Sequence, residues 1–335
     1  MTNNTIKWGI IGAGDVCEVK SAPAMQLVPH SALTAVMRRD KKKAKDYADR
    51  HGVGRFYDDA TDLINDPDVN AVYIATPPHV HAQYAIQALR AGKPTYVEKP
   101  MATQYQDCLD MIKVAEETKV PLYVAYYRRA LPNFLKIKAY IDGGVIGDIR
   151  AVDIRMYQPL KDNLISQVEE NWRVDPQIAG GGYFYDLAPH QFDLLDFFFG
   201  PISAANGFKN NQAGLYEAED IVSANFRFES GVMGTGSWCF TAGKHNTTDT
   251  TTIIGSEGQI QYETFGSKVV LAVDGKEKET TSFEMPKHIQ QPLIQTIVNE
   301  LRGEGTCPSD GVSAARTNYV IDRILGKIAV ADGNP

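Results

Sequence analysis

The sequence predicts an α/β protein: an N-terminal doubly wound parallel sheet, then an α+β domain with an open, mostly antiparallel sheet. Three observations predict it. Continuous apolar runs alternate with helix-like stretches over roughly the first 125 residues, a glycine turn joins the first run to the first helix, and beyond Tyr126 strand-like segments follow one another through short turns. At 335 residues the chain is long for one core, so two domains are expected, at 1–125 and 126–335.

In the first domain, strands are expected at 6–11, 33–37, 71–75, 95–97 and 122–125, with helices at 15–27, 41–51, 80–91 and 105–119. Gly92 is a favourable stop just past the third helix. Strands that are apolar throughout imply a parallel sheet covered on both faces. In the second domain, 150–157 has alternating strand character and a helix follows at 183–199. Strands are then expected at 221–228, 231–240, 247–254, 259–262 and 269–273, joined by turn residues such as Glu229-Ser230-Gly231 and Asp274-Gly275. Short connections favour antiparallel neighbours. The tail returns to helix at 290–301 and 312–329.

A hydrophobic fraction of 43% and a charged fraction of 22% are those of an ordinary globular protein. The net charge of −7 argues against nucleic-acid or anionic-membrane partners, which reward clustered Lys and Arg. Taken alone, the basic run at 38–45 reads as a solvated loop and helix start. No apolar run approaches the roughly 20 residues of a membrane helix, and MTNNTIKWGIIGAGDV lacks a charged-then-apolar leader pattern. Cys17, Cys108, Cys239 and Cys307 are far apart, with no CxxC pair and no zinc-type spacing. Reduced thiols, no metal and a cytoplasmic location are the expectation.

The first strand runs into Gly12-Ala13-Gly14-Asp15-Val16-Cys17. A strand, a tight glycine turn and a helix start are the Rossmann context for binding a dinucleotide. Gly12 permits the turn, Gly14 lets backbone approach a pyrophosphate, and Asp15 and Val16 open the helix beneath it. Cys17 stands where Gly or Ala is usual; a small thiol still allows close helix–strand packing. About 20 residues on, an NAD-preferring domain places an acidic residue for the ribose 2′-hydroxyl. Arg38 occupies that place, with Arg39 beside it and Asp40 nearby. An arginine there pairs with a 2′-phosphate, so NADP is expected in preference to NAD.

Two clusters point to chemistry. Glu98-Lys99-Pro100 follows the strand at 95–97, at the carboxyl end where an open α/β sheet puts its ligands. Taken alone it reads as a surface lysine in a loop. The segment Gly180-Gly181-Gly182-Tyr183-Phe184-Tyr185-Asp186-Leu187-Ala188-Pro189-His190 places Asp186 and His190 four apart, on one helix side. Three glycines suit a close backbone approach to a ligand. An Asp–His pair bonded inside a packed core explains that spacing equally well.

Together, GAGDVC, ATPPHVHAQYAIQALRAGKPTYVEKP and WRVDPQIAGGGYFYDLAPHQFD resemble the glucose–fructose oxidoreductase/inositol dehydrogenase (Gfo/Idh/MocA) family over nearly the whole chain. The resemblance implies an active site between the two domains, with Lys99 and His190 at the substrate hydroxyl. It implies Glu98 on the nicotinamide ribose and a Lys99–Pro100 peptide that is often cis. It puts Thr76, Pro77 and His81 in the cofactor-lining stretch, and Tyr127 and Arg128 near the nicotinamide, where many relatives carry Asn-Arg. Trp172 and Arg173 become substrate-wall residues. Tyr126, Tyr127, Tyr157, Trp172, Tyr183 and Tyr185 are candidates for stacking walls and hydroxyls.

The expected function is hydride transfer between nicotinamide C4 and a secondary hydroxyl or ketone of a sugar, polyol or sugar derivative. His190 is the expected acid/base, Lys99 the proton-bearing partner on the oxygen, and Asp186 the group that fixes the imidazole. On sequence alone the roles of Lys99 and His190 are exchangeable. Two other readings compete: a cofactor-binding sensor or regulator without redox turnover, and an enzyme that keeps NAD bound and oxidises transiently to assist lyase or epimerase chemistry. By analogy, the second-domain strands pair two or four copies.

Overall fold

In the computed structural model, residues 5–160 and 171–329 are described. The expected N-terminal pattern at residues 1–4 and the expected domain ends at residues 1 and 335 lie outside them. The chain divides into two units, one formed by the residues up to Ala130 with Pro286–Ala315, the other by Leu131–Met285 and the chain from Arg316 onward. The expected boundary fell at 125/126, whereas here the first unit reaches Ala130 and includes 286–315.

The first unit runs β1 (Ile6–Ile11), α1 (Asp15–Val19), α2 (Ala22–Leu27), β2 (Ser31–Met37), α3 (Lys41–His51), β3 (Arg55–Tyr57), α4 (Ala60–Ile64), β4 (Ala71–Ile74), α5 (His81–Arg90), β5 (Thr95–Val97), α6 (Tyr105–Thr118) and β6 (Leu122–Val124). Its six strands are parallel in the order β3-β2-β1-β4-β5-β6, the doubly wound arrangement whose order reverses between β1 and β4. β1, β4, β5 and β6 are buried almost throughout because helices cover the sheet. The helix expected at 15–27 is two helices. Pro23 lacks an N–H and cannot continue the first, but it sits comfortably in the first turn of the second. β3 and α4 are too short to show a period and were not expected. α3 starts on the Asp40 side chain and ends on left-handed Gly52.

The second unit adds α7 (Pro132–Asp142), β7 (Ile149–Tyr157), α8 (Pro176–Ala179), α9 (Tyr183–Phe199), β8 (Ile202–Asn210), β9 (Ile221–Phe228), β10 (Met233–Cys239), β11 (Thr248–Gly255), β12 (Gly258–Tyr262), β13 (Lys268–Val273) and β14 (Glu279–Ser282). Its eight-stranded sheet has the order β14-β13-β12-β11-β7-β10-β9-β8, antiparallel except where β7 meets β10. Alternation puts Val152, Ile154, Met156, Val222, Phe226, Phe228 and Trp238 inward. α9 lays Phe184 and Phe192 on Trp238, Phe199 on Phe228 and Phe198 on Tyr262. Gly234 and Gly236 make that layer possible: a Cβ on either would stand 2.1 Å from the ring of Phe226 or Trp238.

The tail helices are α10 (Gln291–Leu301) and α11 (Gly311–Ile324). α10 and the opening of α11 belong to the first unit. Ser309 Oγ donates to Val124 O at 2.7 Å, and Ala314 and Ala315 are part of its core. These partners are far away in sequence, so the composition of the tail could not announce them. The later turns of α11 belong to the second unit, where Arg316 makes two 2.7 Å bonds to Asp196. Among the described residues no helix is long and apolar enough to cross a membrane, and no group of three or more His, Cys, Asp or Glu is placed to hold a metal ion.

Candidate active site

The glycine turn sits at the point where the strand order reverses. Gly12 has φ +84°, and its N–H donates to Met37 O at 3.0 Å. A Cβ there would stand 2.6 Å from Thr76 Cγ2, so both conformation and the close approach of the β4 loop require glycine. A Cβ on Gly14 would meet only Gly12 O, at 3.8 Å, which leaves open space over the loop backbone. Thr76 Oγ1 is buried and has no hydrogen-bond partner among the described residues. A cradle without side chains beside an unsatisfied hydroxyl fits a dinucleotide pyrophosphate at this turn. Asp15 is exposed and Val16 half-buried where α1 begins. Cys17 is fully buried; burial pushes its thiol up to about 12, so it serves as packing. All four cysteines are free.

Past β2, Arg38 is half-buried and Arg39 exposed. Asp40 Oδ1 accepts from the N–H groups of Lys42 and Lys43 at 2.9 and 3.1 Å, and these bonds hold its carboxyl below the ordinary range. The carboxylate closest in sequence to the two arginines thus serves as the cap of α3.

The end of β5 is built from donors that lie far apart in sequence. Glu98 is buried, and its Oε1 accepts from Tyr73 Oη at 2.6 Å and from Gln290 Nε2 at 2.6 Å. Glu98 Oε2 accepts from the Lys99 N–H at 3.1 Å. Gln290 is itself fixed, its Oε1 accepting from Tyr96 Oη at 3.0 Å. The Lys99–Pro100 peptide is cis, and Lys99 is half-buried. Tyr127 and Arg128 are buried beside it, the guanidinium carbon 4.9 Å from the Tyr127 ring centroid. Burial raises the Tyr127 phenol, but Arg128, Lys20 and Lys99 outweigh it and hold the group below its ordinary value.

Two residues of the cofactor-lining stretch, Thr76 and Pro77, are half-buried, whereas His81 is wholly buried. His81 Nε2 lies 2.7 Å from Thr76 O, and Nδ1 lies 3.1 Å from Pro100 O. Burial pushes the ring towards its neutral form, which donates from one nitrogen only. His81 is therefore a strut beneath the two loops whose carbonyls its ring nitrogens face.

In the second unit Asp186 and His190 lie one turn apart on α9, both buried. Arg173 Nε is 3.5 Å from Asp186 Oδ2, and its guanidinium lies 4.4 Å from the Trp172 ring centroid. His190 meets Phe265 edge to face, with centroids 5.6 Å apart and planes at 87°.

Several expected wall residues are placed otherwise. Tyr185 is fully buried and its hydroxyl is 3.3 Å from Asp322 Oδ1 and 3.2 Å from Asn318 Nδ2. It is a core strut because neighbouring helix positions point about 100° apart, so it cannot share the side of Asp186. Tyr126 and Tyr183 are likewise buried, the Tyr183 hydroxyl accepting from Asn171 at 2.6 Å. Tyr157 lies on the sheet face away from α9, bonded to Ser237 Oγ at 3.1 Å, because inward and outward residues alternate along β7. The triple glycine faces protein: a Cβ on Gly182 would stand 2.7 Å from Glu219 O, and its N–H donates to Glu219 Oε1 at 3.0 Å.

Sequence reading missed Tyr73, Gln290 and Phe265. Gln290 is 192 residues from the carboxylate it serves and gives no local signal. Phe265 had one: a lone aromatic residue among the turn residues Glu263-Thr264 and Gly266-Ser267.

Known proteins bear on both units. Residues 6–126 match the oxidoreductase family, NAD-binding Rossmann fold, and residues 134–261 match the GFO/IDH/MocA C-terminal domain. The chain is 39% identical over 323 residues to oxidoreductase P35 of Formosa agariphila, covering 96% of this chain and 98% of that one. It is 28% identical to levoglucosan dehydrogenase of Pseudarthrobacter phenanthrenivorans over 76% of this chain and 72% of that one. It is 25% identical to myo-inositol 2-dehydrogenase of Thermotoga maritima, over 68% and 66% of the two chains. A levoglucosan dehydrogenase solved with NADH and levoglucosan shares the fold at TM-score 0.84 and 24% identity, covering 96% of each chain. With an NAD-binding Rossmann unit and the matching C-terminal domain, this chain belongs to the GFO/IDH/MocA oxidoreductase family.

Proposed function

We propose that this oxidoreductase transfers a hydride between nicotinamide and a secondary hydroxyl or ketone of a sugar, polyol or sugar derivative. The observation that carries the reading is the built end of β5, where a buried carboxylate held by three uncharged donors adjoins Lys99. A bound nicotinamide supplies the hydride acceptor or donor at its C4. When the alcohol is oxidised, its carbinol C–H bond breaks with the electron pair and its O–H proton passes to His190; in reduction His190 returns that proton. Lys99 donates to the same oxygen and stabilises charge on it. Asp186, with Arg173 beside it, orients the imidazole and binds part of the substrate. Glu98 would accept a hydrogen bond from the ribose of a bound nicotinamide nucleotide. Levoglucosan dehydrogenase and myo-inositol 2-dehydrogenase among the relatives support a polyhydroxylated substrate.

NADP is the preferred cofactor in this reading, with NAD as the alternative. The capping role of Asp40 supports Arg38 as the discriminating side chain. Free cysteines support a cytoplasmic location. Phe208 and Met233 are exposed on the uncovered face of the sheet, which supports a homodimer or homotetramer paired through it. A monomer by light scattering at micromolar concentration would count against that pairing.

The function is tested by initial rates on a panel of sugars, polyols and sugar acids, with NAD and NADP in parallel. Lys99→Ala and His190→Asn are expected to lose at least about a hundredfold in kcat with nicotinamide affinity intact. Full activity in either sinks its assigned role. Higher kcat/KM with NAD than with NADP would overturn the role given to Arg38.

A further inference from the structure

Phe265 is a large apolar side chain that stays partly exposed although the backbone around it is hydrogen-bonded on both sides. It lies in the turn between β12 and β13, 44% exposed, whereas His190 beneath it is 3% exposed. Its own N–H donates to Asp249 Oδ2 at 2.7 Å, and the next carbonyl, Gly266 O, accepts from Asn133 Nδ2 at 3.4 Å. Thr264, on its other side, is buried. The turn is thus tied to β11 and α7 on either side of the ring. One part of the ring packs edge to face on His190, at 5.6 Å and 87°. A partly exposed aromatic ring on a hydrogen-bonded turn, beside a buried imidazole, is the arrangement of a binding wall.

We infer that Phe265 is the aromatic platform of the substrate site, on which the C–H face of a ring-shaped substrate lies while its hydroxyl reaches His190. The inference rests on the reading of His190 as the acid/base. The tyrosines in which the sequence suggested such a wall do not supply it, since Tyr183 and Tyr185 are buried and Tyr157 lies on the other sheet face. A ring-shaped substrate presents several C–H bonds on one side in a fixed plane and so matches a flat aromatic surface. An open-chain alditol must first be ordered into that shape, at a cost in conformational entropy.

The test uses levoglucosan and myo-inositol as cyclic probes and sorbitol as the open-chain probe, on the full chain. KM and kcat are measured where a probe turns over, and Kd by calorimetry with NADP present where it does not. Phe265→Ala and Phe265→Leu are both expected to raise KM or Kd for the cyclic probe about tenfold, with NADP affinity unchanged, and Phe265→Trp to stay within about threefold of the parent. Leucine keeps apolar bulk without a ring face, so it separates stacking from simple cover. Removing the ring also opens His190 to water, and the pH profile of kcat is expected to move in Phe265→Ala but not in Phe265→Trp. Unchanged affinity in the alanine or leucine variant, equal dependence for sorbitol, or failure of both cyclic probes to bind overturns the inference. His190→Asn is run in parallel. Full activity there overturns the acid/base reading itself, whereas an inactive His190→Asn with an unaffected Phe265→Ala overturns the platform alone.

Discussion

Glu98 in the first unit and Asp186 in the second are both buried carboxylates, but the fold secures them by opposite means. Glu98 is surrounded by uncharged donors: the Tyr73 hydroxyl, the Gln290 amide and the Lys99 N–H. Asp186 has a guanidinium 3.5 Å away. Uncharged donors fix direction and leave the negative charge available; a neighbouring cation compensates that charge and ties the carboxylate to the chain segment that carries it. The first arrangement suits a carboxylate that accepts a hydrogen bond from a ligand hydroxyl. The second suits one that holds an imidazole and a substrate in place.

The largest expected effect comes from breaking the charged case. Arg173→Ala removes the cation beside a buried carboxylate and is expected to lower unfolding free energy in urea by about 3 kcal/mol. A loss no larger than that of an exposed ion pair, about 0.5 kcal/mol, would mean that Asp186 is compensated elsewhere. The uncharged case is expected to lose less. Gln290→Ala removes one donor to Glu98 and the acceptor of the Tyr96 hydroxyl but leaves Tyr73 and Lys99 in place, so about 2 kcal/mol is expected in the same titration, with KM for the cofactor raised. If Gln290→Ala costs more than Arg173→Ala, the contrast between the two carboxylates is reversed. The smallest stability change sharpens the comparison most. Glu98→Gln preserves the carbonyl that accepts from Tyr73 and Gln290 but removes the charge and the bond accepted from the Lys99 N–H, and a shift of about 1 kcal/mol is expected together with a drop in kcat/KM. Unchanged kcat/KM would show that the charge of Glu98 has no part in the reaction.

Much of the fold was legible because it is written in local pattern. α3 and α9 were placed to the residue, since Asp40, Gly52, Gly182 and Gly200 mark their ends chemically. β1 and β5 followed from continuous apolar runs bounded by Gly12 and Glu98. The break in the helix at 15–27 could have been read from Pro23. β8 and α7 went unread: β8 is largely polar over its second half, and α7 spreads its apolar positions without a clear stripe. The candidate site was legible in the same uneven way. Glu98, Lys99, Asp186 and His190 stood out because their spacing is local. The partners Gln290 and Arg173 did not stand out as partners, and Tyr185 was assigned outward because residue type says nothing of helix phase.

The sequence by itself determined the parallel sheet, the glycine turn at its switch point, the lysine and carboxylate at the end of β5, and the Asp–His turn on α9, because each depends on residues within about one turn or strand of one another. Only the tertiary structure decided that the segment 286–315 returns to the first unit, that Gln290 and Tyr73 hold Glu98, that His81 supports two loops from below, and that Phe265 lies on His190. These are contacts between residues whose separation in the chain carries no periodic or steric signal. They exist only once burial has brought polar groups together and required each of them to find a partner.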